Sequence, residues 1–167
     1  MDSSQTKLPV VYLKPGEIYV GHKPSLVTTI LGSCVSIVFF NRRFELGAIC
    51  HALLPAGDCK NETYRYVDCC INRMLESFNA YGLGPSEIEV KLFGGSDILQ
   101  VTRESGDRKT IGRQNIEAAL EAIDAMGLQL TASDVGGSTG RKIFFYTHTG
   151  EVFLKRQRKM ADLDPVS

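Results

Sequence analysis

Three apolar runs crowd the stretch from Val27 to Leu54, and the connections between them are too short to hold a helix. VTTI (Val27 to Ile30), CVSIVFF (Cys34 to Phe40) and GAICHALL (Gly47 to Leu54) are rich in β-branched and aromatic residues, which suit a pleated, packed surface. Gly32 lends the first connection the backbone freedom of a tight bend, and Asn41-Arg42-Arg43 supplies a polar turn before the third run. A parallel return needs a crossover of a dozen or more residues, so neighbouring hairpin-like strands are expected here. The third run is apolar without alternation and stops at Pro55-Ala56-Gly57, the pattern of a strand buried on both faces. His51 therefore stands in an apolar wall.

Beyond Tyr66 the period changes. Val67, Cys70, Ile71, Met74, Leu75 and Phe78 recur at steps of three and four, which predicts a helix ended by Gly82 and Gly84-Pro85. Glu87 to Phe93 alternates as a strand closed by Gly94-Gly95, and the charged Arg103 to Lys109 reads as an exposed loop. A second helix is predicted from Gly112 to Met126, with Ile116, Ala119, Leu120 and Ile123 inward and Gly127 after its end. Leu128 to Val135, Lys142 to Thr147 and Glu151 to Lys155 read as strands, the last two joined at Thr149-Gly150. The resulting fold class is α/β (α+β): a three-layer sandwich with a mixed, largely antiparallel sheet and helices packed on it. One domain over 10–156 is expected, with a flexible terminus over 1–9 and a polar tail over 157–167.

Charge narrows the partners. The 167 residues carry 19 basic and 19 acidic side chains, so no global field draws in nucleic acid or an anionic membrane. The basic run Lys155 to Lys159 reads as a solvated tail in preference to a docking site. No stretch approaches the roughly 18 uninterrupted apolar residues of a membrane helix, and the N-terminus lacks the pattern of a signal peptide. A cytoplasmic protein is expected. Five cysteines (Cys34, Cys50, Cys59, Cys69 and Cys70), an odd number without regular spacing, point to free thiols rather than to a disulfide framework.

Cys34 heads an apolar run directly after a Leu-Gly-Ser turn. A thiol attacks as thiolate and needs a nearby base, for which His51 is the candidate; Thr28 could accept the other ring N–H, and backbone N–H groups at Gly32, Ser33 and Cys34 could meet an oxyanion. The plainer account stands beside it: cysteines are often small buried hydrophobes, and a strand histidine often just finds a hydrogen bond. His22, in a loop, and His148, beside Thr149-Gly150, are rival bases with sufficient structural readings. Adjacent Cys50-His51 and Cys69-Cys70, with Cys59, lack the separated spacing of a zinc site, so no metal is expected. The glycine pairs Gly94-Gly95 and Gly136-Gly137 lack nucleotide-binding spacing and read as turns and close backbone approaches; no cofactor is expected. Ser36 and Ser96 receive no role.

At these residues the chain resembles the CheD family, the chemoreceptor glutamine deamidases. LGSCVSIV with a threonine six residues before the cysteine, GAICHALLP with the histidine seventeen residues after it, KLFGGSDIL, IGRQNIEAA and DVGGSTGRKIFFYTHTGEVFLKR carry the likeness, from about Val10 to Lys155. The resemblance implies Cys34 as nucleophile, His51 as general base and Thr28 as hydroxyl orienter. It also implies a likeness in fold to the deamidase domain of cytotoxic necrotizing factor toxins. The implied enzyme is a protein-glutamine glutaminase acting on the cytoplasmic helices of methyl-accepting chemoreceptors through a thioester, and some members are credited with methylesterase activity. A CheC-type chemotaxis phosphatase is the implied partner, and an adaptor working mainly by docking is the alternative. Cys50 departs from the pattern, since a non-thiol residue is expected before His51.

Overall fold

The structure, a computed structural model, describes residues 7–60, 64–97 and 109–157. In chain order its elements are β1 (Val10–Tyr12), β2 (Ile18–Gly21), β3 (Leu26–Leu31), β4 (Val35–Asn41), β5 (Leu46–Cys50), α1 (Val67–Asn79), β6 (Glu89–Gly94), α2 (Ile111–Ala125), β7 (Leu130–Val135), β8 (Arg141–Tyr146) and β9 (Val152–Arg156). The strands form two sheets, ordered β1-β3-β8-β9 and β2-β5-β4-β6-β7. Pairing is antiparallel except for β1 with β3 and β6 with β7. Both helices pack on the five-stranded sheet, so the layers run helices, five strands, four strands.

The expected three-layer α+β arrangement holds, with one difference of consequence for function. The bend at Gly32-Ser33 is no hairpin: β3 belongs to one sheet and β4 to the other. Cys34 therefore lies where the chain crosses from sheet to sheet, at the seam of the inter-sheet layer.

Alternation explains how two apolar layers form from one strand pair. Val35, Ile37 and Phe39 of β4 join Ala48 and Cys50 against the helices, whereas Val38 and Ile49 face the other sheet with Val27, Leu31 and Phe145. Both β4 and β5 are buried on both faces, which accounts for their unbroken apolar runs. Helix α1 buries Val67, Cys70, Ile71, Met74 and Phe78, the stripe that its sequence period predicts. Helix α2 starts one residue earlier than predicted because Thr110 Oγ1 caps it, accepting from Arg113 N at 3.2 Å. Its buried stripe includes a polar residue, Asn115.

The strand expected from Glu87 begins at Glu89, since Pro85–Glu87 forms a short 3-10 turn in which Glu87 Oε2 accepts from Gly84 N at 2.9 Å. The predicted loop over 103–109 lies, up to residue 108, outside the described residues. Between β8 and β9, Gly150 has φ +79°, and a Cβ there would strike the Phe40 ring, so the turn needs glycine. No helix among the described residues is long and apolar enough to cross a membrane.

Candidate active site

The turn before Cys34 is held by its carbonyls. Gly32 O accepts from Ser96 N at 3.0 Å and from Ser96 Oγ at 2.8 Å; Cys34 O accepts from Gly95 N at 2.8 Å. Ser33 O accepts from Asn115 Nδ2 at 2.9 Å, and the same Nδ2 donates to Leu53 O at 3.0 Å, two residues past His51. Asn115 thus ties the turn before Cys34 to the segment that carries His51. The N–H groups of Ser33 and Cys34 donate to no acceptor among the described residues.

Glycines let these supports come close. Gly94 has φ +103°, and a Cβ there would collide with Cys34 O; at Gly112, in the first turn of α2, a Cβ would lie 2.6 Å from Gly95 O. The glycine pair is therefore a close backbone approach, as the spacing suggested, and the absent Cβ atoms bring α2 near enough for Asn115 to reach the turn. Arg141, buried in β8, braces the same region: Nη2 donates to Gly136 O at 2.8 Å and Nε pairs with Asp134 at 2.7 Å. Burial would raise the Asp134 carboxyl, but hydrogen bonds from Arg156 and Arg141 outweigh it and hold the group below its usual range.

His51 follows β5 and is anchored by backbone bonds to the segment before β2, its N donating to Glu17 O at 3.2 Å and its O accepting from Gly16 N at 2.8 Å. Its ring is buried in the inter-sheet layer, where Nδ1 lies 2.7 Å from Thr29 Oγ1. Thr29 Oγ1 also donates to Leu13 O at 2.8 Å, so it accepts from His51 Nδ1–H. That assignment leaves Nε2 unprotonated and free to act as a base.

The hydroxyl on His51 belongs to Thr29 and not to Thr28, which corrects the expectation from spacing. Along β3, Val27, Thr29 and Leu31 face the other sheet, while Thr28 shares the opposite face with the 40% exposed Ile30. In register Thr28 stands between Tyr12 and Phe144 of the same sheet.

Cys34 and His51 share the face that Thr29 addresses. Val35 and Ala52 exchange both backbone hydrogen bonds, at 3.0 and 2.9 Å, and the same register continues through Val38↔Ile49. His51 is thereby opposite Ser36, and Cys34 is its diagonal neighbour on the same face, at a Cβ separation of about 7 Å. Burial pushes the Cys34 thiol up. Burial also lowers His51, partly offset by the Leu13 carbonyl beside its ring. Both directions favour a neutral thiol beside a neutral imidazole in the resting protein.

The other sulfur and imidazole groups lie elsewhere. Cys50 points to the helix side, where it accepts from Ile37 N at 3.5 Å and meets Cys70, whose thiol is raised by its hydrogen bond with Cys50 and by burial. Alternation therefore separates Cys50 from the His51 ring although the residues are adjacent. Cys59 and Cys69 form a disulfide, which corrects the expectation of five free thiols. The segment after Leu54 returns through the Leu54↔Tyr66 bridge, carrying Cys59 to the first turn of α1. His22 packs near the Tyr81 ring at 6.4 Å, and His148 lies in the β8–β9 turn, past the end of β3 remote from Cys34.

Comparison with known proteins places these residues in context. The family model described as CheD chemotactic sensory transduction matches residues 53–156, a stretch that begins after His51. The chain is 52% identical over 156 residues to a probable chemoreceptor glutamine deamidase of Geobacter sulfurreducens, covering 93% of this chain and 95% of the relative. It is 40% identical to one from Maridesulfovibrio salexigens, with 95% and 98% covered, and 32% identical to one from Methanococcus maripaludis, with 88% and 95% covered. A hypothetical protein YfiH of Bacillus licheniformis aligns with 73% of this chain and 50% of its own at TM-score 0.48 and 14% identity.

Proposed function

Because the chain belongs to the CheD family, we propose that it deamidates glutamine side chains of methyl-accepting chemoreceptors to glutamate. The names of its relatives support the reaction and substrate class. The observation that carries the mechanism is the Thr29–His51 hydrogen bond, because it frees Nε2 on the face shared with Cys34.

The Cys34 thiol gives its proton to His51 Nε2, and the thiolate so formed attacks the carboxamide carbon, so no standing thiolate is needed at rest. A C–S bond forms, and the N–H groups of Ser33 and Cys34 receive the oxyanion. Gly32 contributes through its carbonyl, which Ser96 holds. Collapse breaks the C–N bond, the imidazolium returns its proton to the departing nitrogen, and ammonia leaves a side-chain thioester. His51 then deprotonates a water that adds to the thioester; the C–S bond breaks, the thiol regains its proton, and glutamate is released. Each event exchanges a neutral amide for a negative charge on a receptor helix. Burial suits this use: a neutral histidine is a competent base near neutral pH, and charge created in a dry layer responds strongly to fixed dipoles.

A CheC-type phosphatase completes the reading as a partner, on the strength of the family resemblance. The decisive experiment is mass spectrometry of receptor cytoplasmic fragments incubated with the protein, beside Cys34→Ala and His51→Ala. Conversion of discrete glutamines, abolished by the first variant and reduced at least about a hundredfold by the second, is expected. Unchanged conversion by Cys34→Ala would overturn the mechanism.

A further inference from the structure

Ser36 is fully buried, yet its Oγ has no hydrogen-bond partner among the described residues. Leaving a hydroxyl unsatisfied in the interior is costly, and such groups in native proteins call for an explanation. Backbone groups cannot supply one here, since β4 is paired along its length by β6 and flanked by β5.

Its position in the sheet identifies its neighbours. Ser36 is two residues after Cys34 on the same strand face and stands opposite His51 in a non-hydrogen-bonded pair, in which Cβ atoms approach to about 4.5–5.5 Å. On its other side the register partner is Phe93, which has no polar atom in its side chain. The next residue of this face along β4 is Val38, and Val27, Leu31 and Ile143 line the layer from the other sheet. Thr29 is already committed, donating to Leu13 O and accepting from His51. The remaining charged or ionisable side chains of the layer are engaged elsewhere: Lys91 on Gly150 O, Arg141 with Asp134, Tyr19 with Ser25. Among the described residues, what is left for Ser36 Oγ is the Cys34 sulfur and His51 Nε2, to neither of which it is bonded in the resting structure.

We propose that Ser36 is a positioning residue of the site, its hydroxyl donating to the Cys34 sulfur and accepting from His51 Nε2–H as the thiolate–imidazolium pair forms. This rests on the Cys34–His51 mechanism above and adds to it. In the resting structure both groups are neutral and Ser36 Oγ bonds to neither. Once the proton has moved, the same hydroxyl meets a negative sulfur on one side and a positive ring on the other, and hydrogen bonds to charged groups are the stronger kind. The orphaned hydroxyl is then a cost carried by the resting protein and recovered in the charged state.

The test is Ser36→Ala in the full-length protein, with iodoacetamide alkylation of Cys34 followed from pH 5 to 10 by peptide-resolved mass spectrometry, beside wild type and His51→Ala. Thermal unfolding of each variant is measured in parallel. The expected result is a loss of about tenfold or more in Cys34 alkylation near neutral pH, with the acid limb of the profile moved to higher pH. Thermal stability should equal or exceed wild type, since no native hydrogen bond is removed. A profile superimposable on wild type, while His51→Ala is strongly impaired, overturns the role of Ser36 and leaves the Cys34–His51 mechanism standing. Unchanged profiles in both variants overturn both. A lower melting temperature accompanying the loss of reactivity also overturns the proposal, because it marks Ser36 as structural.

Discussion

Replacing Thr29 with valine keeps the shape of the side chain and removes only the hydroxyl. Two buried groups lose a partner: His51 Nδ1–H, now 2.7 Å from Oγ1, and Leu13 O, 2.8 Å from it. An orphaned buried group costs about 1–3 kcal/mol, and the ring N–H and the Leu13 carbonyl satisfy each other only in part, so one such penalty in place of two is the reasonable sum. At about 2–4 °C per kcal/mol for a chain of this size, the melting temperature should drop by about 2–12 °C. Activity should suffer more than stability. Without the Oγ1 acceptor the imidazole is less firmly held with its proton on Nδ1, and kcat should fall about 10- to 100-fold with little change in KM. Thr28→Val is the internal control: it lies on the opposite face of β3, and it should leave kcat within about twofold. The assay is the rate of receptor-fragment deamidation by mass spectrometry, with melting followed by circular dichroism. If Thr28→Val lost activity while Thr29→Val kept it, the assignment of the His51 partner from strand alternation would be refuted.

Asn115→Ala should cut kcat/KM by at least about tenfold and destabilise the chain by about 2–3 kcal/mol in urea titration, because Ser33 O and Leu53 O both lose their donor. Gly94→Ala should cost more than about 2 kcal/mol, since φ +103° disfavours a side chain and the new Cβ meets Cys34 O; chemical denaturation reads the loss directly. Stability should also fall on acidification. The folded His51 has a lowered affinity for protons, so below its unfolded pKa near 6.5 the unfolded chain binds more protons and is favoured; the loss continues down to the folded value. His51→Gln should flatten the pH dependence of the denaturation midpoint through that window.

Much of the architecture could be read from residue order. The buried strands β4 and β5 announced themselves as apolar runs, and both helices by their periods, because these patterns report local geometry and burial directly. The disulfide could not be read, since Cys59 and Cys69 meet only through the return of the chain past Tyr66. Asn115 sat within a helical stripe where its neighbours were apolar, and one polar residue at a buried position gives no sign of which carbonyls it will find.

The threonine pair shows where the boundary falls. Sequence alone determined that a thiol would follow a Gly-Ser turn, that a histidine would stand in the next buried run, and that a hydroxyl would be close by in β3. Which hydroxyl depended on which side of β3 faced the second sheet, and a strand's period of two makes neighbouring residues point in opposite directions. Only the crossing at Gly32-Ser33 decides this: it places β3 and β4 in different sheets, so that Thr29 on one meets His51 on the other. Tertiary structure likewise isolated Cys50 from the His51 ring and left Ser36 buried opposite it, since alternation fixes the face of each residue but packing decides what that face meets.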